Sequence, residues 1–462
     1  MSAESDNHRQ QDDRLPEAAL QGSLRDYRVL PGTDLIARTE PFFDWQDLRR
    51  HYGLWPYAKS TSTAPKTFCT AMTDSGAAVS GVNFASQDYL SLASHPRVKQ
   101  AAVRAIEEYG VHSAGSAALL GNTKHSLQLE RVISRFLLDR QIVLYPTGWS
   151  AGFAAVQGFI RPDDHVVMDV LAHSCLQEGA RAATQNIHYH GHLNVHALER
   201  RLQKIRAADT RNGILVVTES LFSMHSDTPD IGALRSVCDE YGAILLVDCA
   251  HDLGCIGDDG LGHLGLQNML EQVDIIVGSF SKTFAANGGF VAVRGKAAAE
   301  YLKYYSATQT FSNALSPVQA ASVLAAFEIV LSAEGKERRQ RLMKNILYLR
   351  DQTKRVGLEV LGDPSAIVPV RVGSEGLARI ASRNLSAFGA IANLVEYPAV
   401  PKGGARFRVQ VMADHKTDEI DTFVKAMLEA MRSADIEFRS RREESYAAAP
   451  LPMAGRTDVR AA

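Results

Sequence analysis

Residues 273–295 read VDIIVGSFSKTFAANGGFVAVRG, and this stretch decides the fold. VDIIVGSF is a short apolar run without polar alternation, the pattern of a strand covered on both faces, and GGFVAVRG is another. Between them sits Lys282, with Ser279, Ser281, Gly288 and Gly289 as small neighbours. Open α/β sheets place ligands just beyond the carboxyl ends of their strands. A lysine that forms a Schiff base needs approach room and surroundings that lower its pKa. Taken alone, a lysine after a strand is more often a solvated loop residue.

Toward the amino terminus the same kind of run recurs as AILLVD (243–248), GILVVTES (213–220), DHVVMDV (164–170) and QIVLYP (141–146). Helical patterns separate these runs: IGALRSVCDEYG (231–242), SCLQEGARAA (174–183) and a helix opening near Gly148. HPRVKQAAVRAIEEYG (95–110) spaces its apolar residues at helical intervals and stops at Gly110. Unbroken apolar runs alternating with helices predict an α/β fold with a mostly parallel sheet covered on both faces. Beyond residue 315 come long helices, PVQAASVLAAFEIVLSA and KERRQRLMKNILYLRDQTKRVG. AIVPVRVG, LARIASRNLSAFG, IANLVEYP, RFRVQVMA and a final helix from Thr417 follow. They predict a smaller C-terminal α+β domain. The expected organisation is a disordered tail over 1–25, an N-terminal arm over 26–95, a large domain over 96–314, a linking helix and small domain over 315–440, and a second disordered tail over 441–462. The aromatic stretch FFDWQDLRRHYGLWPY (42–57) must be buried, on the main body or on a second subunit.

Each strand of the large domain is followed by a residue able to do chemistry. Thr147, Gly148 and Trp149 follow QIVLYP and open a helix, whose free N–H groups suit a phosphate. His173 follows DHVVMDV and could stack on an aromatic ring. Glu219 and Ser223 follow the next strand and could tune or orient groups around that ring. Asp248 ends AILLVD, where a buried carboxylate needs a partner such as a protonated pyridine nitrogen. His251, three residues on, is placed to reach a phenolic oxygen. Each has a plainer reading as an ordinary turn, cap or surface residue; convergence at one sheet edge is what makes a site.

The bulk properties exclude several classes. The chain has 462 residues, 45% hydrophobic and 22% charged, with formal net charge −2, so nothing in it asks for nucleic acid or an anionic membrane. Its five cysteines include no C-x-x-C pair, which points to reduced thiols in a cytoplasmic enzyme without a cysteine metal site. The amino-terminal twenty residues are polar, unlike a signal peptide, and no apolar run reaches the roughly 20 residues needed to span a bilayer. No G-x-G-x-x-G follows the first strand, which sets a nicotinamide cofactor aside.

The strings TGW, LAHSCLQEGA, TESLFSM, VDCAHDLG and GSFSKTFAANGGF together resemble the α-oxoamine synthases, which are fold-type-I (aspartate-aminotransferase-like) pyridoxal 5'-phosphate enzymes. The likeness runs over about residues 80–435, from ASQDYLSLASHPRV to VPKGGARFRVQVMADH. It implies that Lys282 forms the internal aldimine and later moves protons. It implies that Asp248 pairs with the pyridine nitrogen, His251 with the phenolate oxygen, and that His173 stacks on the ring. Thr147, Gly148 and Trp149 would hold the phosphate, helped by Ser279. Ser312 and Asn313 in TFSNALSP would reach it from the second subunit of a homodimer with shared active sites. Arg408 would grip the amino-acid carboxylate, a task suited to a bidentate guanidinium. The implied reaction is a decarboxylative Claisen-type condensation of a small amino acid (glycine, alanine or serine) with an acyl thioester, giving an α-aminoketone.

Two positions depart from the family pattern. Ala117, in SAGSAALLGN, stands where family members often carry arginine. Glu396, in VEYPAVPKGG, stands where several carry another, and the P-A-T-P string of one branch is absent. Both lie where acyl-chain and thioester contacts are expected, so coenzyme A and an acyl carrier protein both remain open as the acyl donor. LLGNTKHS, LAHSCLQEGA and VEYPAVPKGGARFRVQVMA look most like the branch that offloads polyketide or fatty-acyl chains. Two other readings are another fold-type-I activity, an aminotransferase or aldolase, and a non-catalytic subunit of a larger synthase.

Overall fold

The apolar runs assemble into one seven-stranded sheet in a computed structural model that describes residues 15–447, with side chains to 440. In spatial order the strands are Gln141–Tyr145, Gly289–Val293, Ile275–Ser279, Ile244–Asp248, Ile214–Glu219, His165–Asp169 and Ile187–His190. Alternate residues of one strand feed opposite cores: Leu215 and Val217 join one cluster, Val216 the other. That two-sided burial is why the strands read as unbroken apolar runs. Helices Gly148–Gln157 and Ser174–Ala183 cover one face, and helices including Pro96–Tyr109 and Pro317–Val330 cover the other.

Gly289–Val293 runs antiparallel to both of its neighbours. The link before it, residues 280–288, is too short to carry a crossover helix, so the chain can return only as a hairpin. The fold is thus fold-type-I, with a mixed, mostly parallel sheet and a smaller domain. Helix Pro96–Tyr109 stops at Gly110, whose φ of 75° favours glycine. The edge strand Ile187–His190 escapes a sequence reading because its residues, IHYH, are largely polar and only half-buried.

The C-terminal part holds the antiparallel sheet Ile367–Gly373, Ala405–Gln410 and Asn393–Val395, packed against helix Glu375–Ala387, which in turn packs on helix Thr417–Ala447. A second sheet joins Ser60–Thr61, Phe68–Met72 and Ala78–Asn83 to Ala390–Ile391, so the segment read as an arm shares strands with the C-terminal part.

The amino-terminal tail needs correcting. Residues 15–25 are folded: Leu15, Ala19 and Leu20 are buried around a helical turn at Glu17–Leu20. The polar composition of the first 25 residues hides a short apolar motif, LPEAAL, that only packing reveals. At the other end, helix Thr417–Ala447 continues through 441–447, also read as tail. Residues 1–14 and 448–462 lie outside the described residues. The aromatic stretch packs within its own chain, where Trp45 and Trp55 are buried with Tyr27, Phe42 and Tyr57. Among the described residues, no single helix is long and apolar enough to cross a membrane.

Candidate active site

Parallel strands bring their carboxyl ends to one edge, and the chemistry gathers there. Asp248 and Glu219 end adjacent strands and pair in register. Both are buried. Burial lifts the Asp248 carboxyl above its ordinary range, with His173 and Lys282 opposing. Burial and then the neighbouring Asp248 lift Glu219 well above its own, so Glu219 holds a proton beside the Asp248 carboxylate. Lys282 lies three residues beyond the strand end Ser279. Burial pulls its ammonium pKa down; Asp248 opposes this and Arg408 reinforces it. Lys282 also lines a cavity of about 410 Å³ with Pro65, Ser86, Asp88 and Asn287.

The two histidines are neutral, and each is held by a neighbour at Nδ1. Burial, then the cations Lys282 and Arg408, push His251 well below its ordinary pKa. Its Nδ1 lies 3.0 Å from the Tyr89 hydroxyl. Burial holds that phenol protonated, and its hydroxyl shares a hydrogen bond with the neutral ring at Nδ1. His173 caps helix Ser174–Ala183, its Nδ1 accepting the Cys175 N–H at 3.3 Å, with Cys175 Sγ at 3.0 Å. Burial keeps the thiol protonated and lowers His173, so its proton is on Nε2. Behind these residues, Asp252 accepts the Ser220 hydroxyl at 2.7 Å and the His263 N–H at 2.8 Å, fixing the segment after Asp248.

An anion cradle forms at the head of helix Gly148–Gln157. Thr147 caps it, Oγ1 accepting the Ser150 N–H at 3.0 Å. Gly148 packs so closely on Ser279 that a Cβ there would lie 2.3 Å from Ser279 Oγ. Ser281 donates its N–H to that same Oγ at 3.3 Å. Free helix N–H groups and two serine hydroxyls therefore converge. Trp149 is exposed and stacks on Phe153.

Arg408 projects from strand Ala405–Gln410, its Nε donating to the Ser223 carbonyl at 3.2 Å. Ser223 thus contributes a backbone oxygen here. Burial lowers the guanidinium pKa. A buried acid beside a half-buried lysine, two neutral histidines and a phosphate-type cradle form a donor set that fits pyridoxal phosphate.

Ser312 and Asn313 stand apart. Ser312 Oγ donates to the Thr308 carbonyl at 2.5 Å, and Asn313 bridges to Ser116. That bridge joins two segments carrying Phe311, Leu119 and Leu120, which are 87%, 85% and 90% exposed. Glu396, which stands where the resemblance expects acyl and thioester contacts, is a buried residue. It is 2% exposed, with Arg379 Nε at 2.8 Å, Arg49 at 3.6 Å and the Tyr57 hydroxyl at 3.5 Å. Two buried arginines demand a carboxylate there. Tyr89 and Cys175 went unnoticed in the sequence because neither stands at a strand end; each lay inside a family string, ASQDYLSL or LAHSCLQEGA.

The family described as aminotransferase class I and II matches residues 79–427. The chain is 32% identical over 355 residues to a serine palmitoyltransferase of Sphingobacterium spiritivorum, covering 77% of this chain and 87% of that one. It is 32% identical over 345 residues to an 8-amino-7-oxononanoate synthase of Coprothermobacter proteolyticus, covering 74% and 86%. A solved serine palmitoyltransferase from Sphingomonas wittichii shares the fold, with a TM-score of 0.81 and 23% identity over 87% of this chain and 100% of that one.

Proposed function

The chain belongs to the aminotransferase class I and II family, in its α-oxoamine synthase branch, and on that premise we propose that Lys282 is its cofactor-bearing lysine. The protein is a pyridoxal-phosphate-dependent acyltransferase of the amino acid–acyl thioester type. When bound, the cofactor supplies an electron-withdrawing ring that takes up the negative charge left at the amino-acid α-carbon.

The chain's own residues then have these tasks. Lys282 Nζ, its proton affinity lowered by burial, accepts the α-proton and returns it. Asp248 holds the proton on the ring nitrogen, and Glu219, itself protonated, leaves that carboxylate uncontested. His251 would face the phenolic oxygen with Nε2, its Nδ1 hydrogen-bonded to the Tyr89 hydroxyl. His173 lies against the ring face. Thr147, Gly148, Trp149, Ser279 and Ser281 hold the phosphate. Arg408, steadied by the Ser223 carbonyl, binds the amino-acid carboxylate. In the condensation the α-carbon bonds to the thioester carbonyl carbon, the C–S bond breaks to release the thiol, and the α-carboxylate leaves as carbon dioxide.

The exposed Leu119, Leu120 and Phe311 support a homodimer in which Ser312 and Asn313 complete the partner's phosphate site. Glycine, alanine and serine are the candidate amino acids, with the acyl group on coenzyme A or on an acyl carrier protein. The five cysteines, all free and buried, suit the reducing cytoplasm.

The observation that carries this reading is the Lys282 amine within electrostatic reach of the paired carboxyls of Asp248 and Glu219. The test supplies glycine, L-alanine or L-serine with an octanoyl thioester on coenzyme A or carrier protein. Equal amounts of carbon dioxide and free thiol are expected, with both lost in Lys282→Ala. Formation of pyridoxamine phosphate from amino acid alone, or turnover surviving Lys282→Ala, would overturn it.

A further inference from the structure

His192 lies between two carboxylates that belong to different strand ends. Its Nδ1 is 2.9 Å from Asp169 Oδ1, at the end of strand His165–Asp169, four residues before His173. Its Nε2 is 3.1 Å from Asp227 Oδ2, in the segment after Glu219. A ring with a carboxylate on each nitrogen must donate from both, and only the imidazolium carries two protons. Among the described residues, no group of His, Cys, Asp and Glu could hold a metal ion, so a proton answers the second carboxylate.

Asp227 closes a tight turn that carries part of the amino-acid site. The Phe222 N–H donates to the Asp227 carbonyl at 2.9 Å, and the Ser226 N–H to the Phe222 carbonyl at 2.8 Å. Within this turn, the Ser223 carbonyl accepts from Arg408 Nε at 3.2 Å and the Met224 carbonyl from Arg406 at 3.0 Å. The Phe222 ring meets the His192 ring edge-on at 4.6 Å. Asp227 Oδ1 is buried without a hydrogen-bond partner, so His192 is the group that satisfies this carboxylate.

We propose that His192 is a positioning residue for the amino-acid site: as a doubly donating imidazolium it fixes the 222–227 turn, and through Ser223 it aims Arg408. This rests on the reading of Arg408 as the carboxylate-binding residue. The charged and titratable groups facing His192 are Asp169, Asp227, His225 at 5.5 Å between ring centres, and Arg406 beyond it. Burial lowers both rings. For His192 the hydrogen bonds it donates to Asp169 and Asp227 outweigh burial and raise its pKa to about 9, while His225 is left neutral. The clamp therefore holds through neutral pH and opens as the pH passes about 9.

The test uses cofactor-loaded His192→Gln, with Asp227→Asn as a gentler second variant. Gln offers a donor to one carboxylate and an oxygen to the other. Dissociation constants for glycine, L-alanine and L-serine are read from the visible band of the loaded protein. Binding is expected to weaken about tenfold in His192→Gln, with kcat at saturation changed less than about threefold. The variant-to-wild-type ratio falls toward one as the pH rises through about 9, and the amino acid's own ionisation cancels in that ratio. Hydrogen exchange at the 222–227 amides, measured without amino acid, is expected to quicken in both variants. Wild-type exchange in the turn, or unchanged binding of all three amino acids, overturns the proposal. Arg408→Lys serves as the control: if it binds amino acid like the wild type, the Arg408 reading falls, and the exchange measurement still judges whether His192 holds the turn.

Discussion

Glu219 and Asp248 end neighbouring parallel strands in register, so two buried carboxyl groups stand side by side at one sheet edge. Two such groups cannot both ionise without a cation. Burial raises both pKa values and Lys282 opposes the rise; on the proposed reading, the further cation that answers Asp248 is a protonated ring nitrogen. Asp248→Asn keeps the shape and removes the charge. The variant is expected to bind the cofactor but to exchange the amino-acid α-proton with solvent about 10²–10³-fold more slowly. Proton-exchange kinetics by NMR check this, and an unchanged rate assigns the charge elsewhere.

Gly148 is confined by Ser279. A methyl group at 148 would lie 2.3 Å from Ser279 Oγ, so Gly148→Ala must turn that hydroxyl out of the cradle. Cofactor affinity is expected to fall about tenfold or more, with a folding penalty of about 1–3 kcal/mol from overpacking. Cofactor titration and denaturant unfolding separate the two effects.

Glu396 holds the amino-terminal segment in place through its two arginines. Arg379 donates to Glu396 and to the Leu20 and Gly22 carbonyls, and Arg49 donates to those of Gln21 and Gly22. Arg379→Ala leaves a buried carboxylate with half its compensation. A loss of about 3–5 kcal/mol is expected in chemical unfolding, together with faster proteolysis near residues 15–25. An exposed pair would lose less than about 1 kcal/mol.

Asp88 gives the protein a pH dependence of unusual sign. Its carboxyl is buried and accepts the Leu92 and Ala93 N–H groups. Burial wins over those hydrogen bonds, and the pKa rises from 3.8 to about 6. The folded state thus holds this proton more tightly than the unfolded chain does. Asp88 therefore costs stability above about 6, and that cost disappears as the pH falls toward 3.8. Asp88→Asn removes the titration. The stability difference between variant and wild type is expected to grow by about 2–3 kcal/mol in the variant's favour from about pH 4 to about pH 7. A difference that stays flat over that range shows that Asp88 titrates normally.

Much of the site was legible in the sequence because the strands are buried on both faces. Their unbroken apolar runs mark where each one ends, and the candidate residues were read at those ends or a few positions beyond. Lys282, Asp248, Glu219, His173 and Thr147 were found this way. The antiparallel strand Gly289–Val293 was also implicit, since a short link forbids a crossover.

Other features depend on pairings that no local pattern encodes. Tyr89 reaches His251 from 162 positions away and hydrogen-bonds its Nδ1. Arg49, Arg379 and Glu396 form one buried cluster from three distant segments. Leu15, Ala19 and Leu20 are buried although their surroundings in the sequence are polar. The sequence by itself determined where the strands around Lys282 end and which candidate residues follow them, because burial on two faces leaves unbroken apolar runs. The tertiary structure alone decided the protonation states and the clamps. Those depend on the distance and burial of groups that meet only when the chain has folded.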